Sequence, residues 1–159
     1  MSNLSKIVIF DIDGTLSDAT HRLHHLYPAE GEKKNWSAFF AKAKEDKPIV
    51  PIINLNYMYH KNGYHIILCT GRPANTRNDT IDWLNKHSIK YDVLLMRLTA
   101  DRGPDYEVKP KTLLEYLEGI GKAFSDIEII FEDRLRVCQA WKKLGIPVAV
   151  VGEEAWEQR

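Results

Sequence analysis

Cysteine is scarce in this chain: Cys69 and Cys138 are the only two among 159 residues. Both lie in apolar segments, which excludes a disulfide framework and predicts buried thiols in a reducing compartment. An excess of either charge is also missing, because 22 Lys and Arg balance 22 Asp and Glu. The bulk basic field that drives nonspecific nucleic-acid binding is therefore absent, and any such partner must be engaged locally. No apolar run approaches the ~20 residues that span a bilayer, so no membrane partner is expected. The opening Met1-Ser2-Asn3-Leu4-Ser5-Lys6 has no signal-peptide pattern, so the expected location is cytoplasmic. Internal repeats and low-complexity tracts are lacking too. What is present, 44% hydrophobic and 28% charged residues, suffices for one domain over 1–159 with a substantial core.

The most informative stretch is Phe10-Asp11-Ile12-Asp13-Gly14-Thr15-Leu16, which follows the apolar run Ile7-Val8-Ile9. Carboxylates two residues apart lie on one side of an extended backbone. Gly14 can take up a tight turn and Thr15 can cap or bind an anion, so a strand delivers two acids to an open crevice. Such a pair can hold a divalent cation and still leave one carboxylate for proton transfer. A strand ending in an Asx-rich turn is the alternative for the motif taken alone. An EF-hand calcium loop is excluded, because its twelfth position, which needs Glu, is Arg22.

Short apolar runs at 6–10, 65–69, 92–96, 127–131 and 147–151 alternate with helical patterns at 50–61, 74–87, 110–120 and 134–144. Gly63, Gly121 and Gly145 stand where helices would end before a strand. This alternation predicts an α/β fold: a Rossmann-like parallel sheet of about five strands with helices on both faces. Residues 17–48 show no obvious strand and are too many for an ordinary loop, so a small helical insertion beside the site is expected. Within it His21, His24 and His25 read as surface or packing residues, since no Cys or well-placed acid accompanies them. Trp36, Phe39 and Phe40 read as the insertion's own small core.

Three more features fall at the carboxyl ends of predicted strands, where open α/β sheets bind ligands. Thr70-Gly71-Arg72 follows the second, offering a hydroxyl, backbone amides and a guanidinium to phosphate oxygens. Asp105 precedes Lys109, which in turn precedes Pro110, a residue able to start a helix. Phe131-Glu132-Asp133-Arg134 again places two acids at a strand exit, where one can coordinate a cation directly and the other through water.

Acid pair, Thr, Lys, acid pair, each after a strand: in this order the residues resemble the four motifs of the haloacid dehalogenase superfamily of phosphotransferases, over nearly the entire chain. A closer resemblance is to the 3′-phosphatase domain of phage-type polynucleotide kinases and its stand-alone viral relatives. That subgroup has an Arg shortly after the first motif, a Ser/Thr-Gly-Arg second motif, an Asp four before the Lys, and a double acid followed by Arg. Arg22, Thr70-Gly71-Arg72, Asp105 with Lys109, and Glu132-Asp133-Arg134 occupy those positions, and 137–145 looks like the helix after its fourth motif. Glu132 departs from the usual Asp, which changes metal geometry more than charge. No Gly-x-x-x-x-Gly-Lys-Ser/Thr loop accompanies the motifs, so a 5′-kinase activity is not expected from this chain.

The resemblance implies a Mg²⁺-dependent phosphomonoesterase with Asp11 as nucleophile and Asp13 as acid and base. Mg²⁺ would be held by Asp11, the Asp13 carbonyl and Asp133, with Glu132 through water. Thr70 and Lys109 would hold the transferring oxygens, Asp105 would orient Lys109, and Arg22, Gly71, Arg72 and Arg134 would bind substrate. The implied substrate is a nucleic-acid 3′ end or a nucleotide; a small-metabolite or 5′-nucleotide phosphatase is the alternative. Type-enzyme dehalogenases lack an acid at the position of Asp13. A receiver-type phosphoacceptor would need its Asp at the end of the third strand, where Met96-Arg97-Leu98-Thr99 stands. An inactive end-binding module is disfavoured because every ionisable group needed for turnover is present. Oligomeric state has no signature in the sequence.

Overall fold

The computed structural model describes residues 6–152; Met1–Ser5, read above for targeting signals, and 153–159 lie outside the described residues. The chain begins with β1 (Ile7–Phe10), whose four residues are all 0% exposed, as a strand covered on both faces must be. Next come β2 (Ser17–Asp18), α1 (Trp36–Ala41), β3 (Lys47–Pro48), α2 (Val50–Lys61) and β4 (His65–Pro73). The remainder is α3 (Arg77–Lys86), β5 (Val93–Arg97), α4 (Asp105–Gly119), β6 (Ile127–Glu132), α5 (Leu135–Lys143) and β7 (Val148–Val150). Five strands form one parallel sheet in the order β5-β4-β1-β6-β7.

Alternation of side chains along β1 divides the interior. Ile7 and Ile9 belong with Ile67, Leu113, Leu117, Val137 and Trp141, so α4 and α5 cover that face. Val8 and Phe10 belong with Ile66, Leu68, Trp83 and Leu84, with Ile52 and Ile53 packed behind, so α2 and α3 cover the other. This is the Rossmann-like sheet that the apolar runs predict. Because β1 is flanked by β4 on one side and β6 on the other, strand order reverses beside it and a crevice opens at the carboxyl ends.

Four local features differ from the sequence reading. The 17–48 segment does contain strands: β2 and β3 pair antiparallel, Ser17 with Pro48 and Asp18 with Lys47. Two residues are too few to show a period. Between them a 3₁₀ turn (Thr20–His25), α1 and a second 3₁₀ turn (Ala43–Glu45) enclose a core of Ala19, Leu26 and Phe39. Strand β4 runs on to Pro73 with a register shift between Thr70 and Pro73, so Thr70-Gly71-Arg72 lies in an irregular strand end rather than after it. The helix expected from residue 74 starts as a 3₁₀ turn (Ala74–Thr76). Helix α4 starts at Asp105, not at Pro110, which stands inside it. Pro110 forfeits only the amide that would donate to the carbonyl four residues back, and Asp105 and Lys109 thereby share one helix, a turn apart.

Candidate active site

The site is built outward from the end of β1. The Asp11 amide still donates to the Phe131 carbonyl at 2.9 Å, prolonging the ladder, and then the chain turns sharply. The Ile12 carbonyl accepts from the amides of Thr15, Leu16 and Ser17 at 3.1, 2.9 and 3.0 Å. Gly14 is required here twice: its φ is +80°, and a Cβ on it would lie 2.1 Å from Asp133 Oδ2. Asp11 and Asp13 both line a cavity of about 660 Å³, together with Gly71, Asp105, Lys109 and Arg134.

Lys109 Nζ donates to Asp11 Oδ1 and to Glu132 Oε2, both at 2.8 Å. Burial alone would lower Lys109, but Asp11 and Glu132 outweigh it and hold the ammonium well above its ordinary range. Burial, with the Asp11 charge beside it, pushes Glu132 up to about 7 against the pull of Lys109. The second Glu132 oxygen accepts from the amides of Asp133 and Arg134 at 3.2 and 3.4 Å. Asp11, Glu132 and Asp133, all buried, bring ligand oxygens within 4.8 Å of one another. Three converging carboxylates facing one ammonium form an all-oxygen donor set of net negative charge, which fits a hard divalent cation. The Asp13 carboxylate is not part of that cluster.

Asp13 is instead held by two arginines. Arg72 donates from Nε and Nη2, at 2.7 Å to Asp13 Oδ1 for the latter, and Arg22 Nη2 donates to the same oxygen. Burial would raise Asp13, but the guanidinium groups of Arg72 and Arg22 outweigh it and hold the carboxyl well below the ordinary range. Arg22 and Arg72, expected on the substrate, are 0% and 1% exposed and do not line the cavity. The physical reason is Asp46, a buried acid at the end of the insertion. It accepts from Arg22 Nε at 2.8 Å and Nη2 at 2.6 Å, and Arg72 Nη2 lies 3.7 Å from it. Asp46 stands 24 residues from Arg22, and no spacing rule could have found it.

Asp105 departs from expectation in a similar way. Its carboxylate accepts from Arg97 Nη2 and from Arg134 Nη1, while the Lys109 ammonium is bonded to Asp11 and Glu132. Burial is overcome by Lys109, Arg134 and Arg97, which lower Asp105. A Cβ on Gly71 would lie 2.5 Å from Asp105 Oδ1, so this glycine lets the acid reach the strand end. Thr70 is buried and its Oγ1 accepts from the Arg72 amide at 3.2 Å. His21 Nε2 meets Asp46 Oδ1 at 2.8 Å, and the His24 and His25 rings lie 4.0 Å apart. Cys69 and Cys138 are free and buried, and burial pushes both thiols up to about 12.

The family described as the polynucleotide kinase PNKP phosphatase domain is matched over residues 5–156. The chain belongs to this family. That family is one of phosphatase domains, which sets aside the receiver-like reading. A chain of the Pnkp1/Rnl/Hen1 complex is 31% identical with a TM-score of 0.75, over 95% of this chain and 46% of that one. The present chain thus spans less than half the length of that relative. The haloacid dehalogenase-like hydrolase SP0104 from Streptococcus pneumoniae is 16% identical with a TM-score of 0.66, over 96% and 89% of the two chains. CbbY from Rhodobacter sphaeroides, solved with phosphate, is 15% identical with a TM-score of 0.67 over 98% and 89%. The last two share the fold. Among the described residues no helix is long and apolar enough to cross a membrane.

Proposed function

We propose that this chain is one Mg²⁺-dependent phosphatase unit, with 17–48 as a cap-like insertion, that removes a 3′-phosphate from nucleic-acid ends or nucleotides. The observation that carries the reading is the convergence of Asp11, Glu132, Asp133 and Lys109, of which Asp11 and Lys109 line the same cavity as Asp13. Its volume, about 660 Å³, accommodates a nucleotide. The likeness to a chain found in an RNA repair complex supports a nucleic-acid setting.

Asp11 attacks phosphorus and forms an aspartyl-phosphate while the alcohol oxygen keeps the bonding pair. Asp13 gives that oxygen a proton, then takes one from the water that releases phosphate from Asp11. Lys109, fixed by Asp11 and Glu132, offsets the charge of the nucleophile and of the transferring oxygens. Thr70 and the Gly71 backbone bound the strand end on which the phosphate rests. Asp11, the Asp13 carbonyl and Asp133 would hold Mg²⁺, which when bound screens the repulsion between carboxylate and phosphate. Arg22 and Arg72 act through Asp13. A phosphate dianion in the cavity that Asp13 lines adds negative charge beside that carboxylate, opposing the two guanidinium groups and raising its proton affinity toward the acid role.

Phosphate release with Mg²⁺ from 3′-phosphorylated oligonucleotides, 3′-nucleotides, 5′-nucleotides and sugar phosphates tests the reading. The 3′-phosphates are expected to be preferred, with Asp11→Asn inactive throughout. A tenfold preference for 5′-nucleotides or sugar phosphates would make the small-metabolite phosphatase the better reading.

A further inference from the structure

Trp36 opens α1 on the wall of the cavity, yet 44% of it stays exposed. Of the aromatic trio expected to form the insertion's core, only Phe39 is buried. The Trp36 ring lies nearly parallel to that of Phe40, at 5.9 Å and 23°, and edge-on to Phe39 at 5.9 Å, with the Lys34 ammonium over it at 5.9 Å from its centroid. A single exposed aromatic is ordinary on a protein surface, but this one shares its cavity with Asp11 and Lys109. Two exposed arginines, Arg102 and Arg136, line the same cavity and make no ion pair among the described residues. Arg97 and Arg134, by contrast, are committed to Asp105. Asp79 and Asp101 also line the wall, so the field there is mixed and weak. A supported flat ring beside a few uncommitted cations is how proteins hold single-stranded nucleic acid, with a base on the ring and the backbone on the cations.

We propose that Trp36 is the stacking platform for the nucleobase nearest the reacting phosphate, and that Arg102 and Arg136 meet the next phosphate along the strand. The inference rests on the 3′-end reading and specifies how that end is gripped: by the face of a base, without dependence on its identity.

The test compares kcat/KM for a 3′-phosphorylated oligonucleotide with that for the same strand whose terminal nucleoside lacks its base. The native protein is expected to favour the base-bearing end by about five- to a hundredfold, the range that one base–aromatic stack contributes. Trp36→Leu, which keeps an apolar contact for Phe40 but presents no ring, is expected to erase most of that ratio, and Trp36→Phe to keep part of it. A ratio in Trp36→Leu within twofold of the native one overturns the proposal, as does a native protein indifferent to the base. If Trp36→Leu does not fold, fluorescence of Asp11→Asn titrated with a 3′-phosphorylated dinucleotide decides. Quenching that the added Trp36→Phe change removes supports the platform, and no quenching overturns it. A native preference for sugar phosphates or 5′-nucleotides breaks the 3′-end reading itself. A preference for 3′ ends whose dependence on the terminal base survives loss of the ring breaks only the assignment of Trp36.

Discussion

At Asp13 two guanidinium groups share one carboxylate, and one of them, Arg22, is gripped from behind by Asp46. Removing Arg22 leaves Asp46 with a buried charge and Asp13 with one partner fewer. Breaking a buried pair in this way costs about 3–5 kcal/mol, so Arg22→Ala is expected to lower the unfolding free energy by that order. If, as proposed, its effect on catalysis runs through Asp13, which keeps Arg72 as a partner, kcat should fall about ten- to a hundredfold, below the ~10²–10⁴-fold of a whole general acid–base contribution, with KM little changed. A change confined to KM for nucleotide substrates would return Arg22 to direct substrate contact. Glu132 yields a pH prediction. Its carboxyl is pushed above the ordinary range in the folded chain by burial and by Asp11, so between those pH values the folded state binds more protons than the unfolded one. Stability of the metal-free protein should therefore fall as pH rises from the ordinary carboxyl range toward neutrality. Binding of Mg²⁺ expels that proton, so the concentration needed for half-activation should drop as pH rises from about 6 to about 8. A half-activation value that does not move with pH would exclude Glu132 from the cation site.

The elements around the site make the acids converge only where the backbone lets them. Gly14 at φ +80° keeps the β1 turn clear of Asp133, whose Oδ2 a Cβ would meet at 2.1 Å. Gly14→Ala is expected to cost about 1–3 kcal/mol of backbone strain and to raise the Mg²⁺ requirement by displacing Asp133. Native unfolding and native Mg²⁺ titration in that variant would overturn this account. Asp133→Asn should raise the requirement more than Glu132→Gln, because Lys109 and two backbone amides already occupy the Glu132 oxygens; the reverse order would assign the inner position to Glu132. Elements with a clear apolar signal were legible in the sequence: β1 as an unbroken apolar run, α5 as a helix with one apolar face, and the alternation of strands with helices around them. Helix α4 was misread at its start because Pro110 reads as a first-turn residue, whereas one forfeited hydrogen bond is tolerable inside fifteen residues. The motif acids and Lys109 were legible because each follows an apolar strand or stands at fixed spacing from another motif residue. Asp46 and Arg97 were not, since what makes them matter is a contact closed by the tertiary fold.

Over the molecule as a whole, positive and negative side chains cancel. On the proposed function, grip on a nucleic-acid end would be confined to the few phosphates that reach the cavity. The logarithm of kcat/KM on an oligonucleotide should fall with the logarithm of salt concentration at a slope of about −1 to −3, at ~0.7 per single-strand phosphate contact. A much steeper slope would mean that a long basic track exists elsewhere on the surface. The insertion also bears on how this molecule can change. It contributes Arg22 and Asp46, while the sheet end contributes Asp13 and Arg72, and the Asp46 carbonyl accepts from Trp83 Nε1 of α3 at 2.9 Å. A cap grafted from another phosphatase would therefore have to bring its own matched arginine and acid. Without them the graft strands a charge inside the domain, so any exchange of the insertion must keep that arginine–acid match with the sheet end.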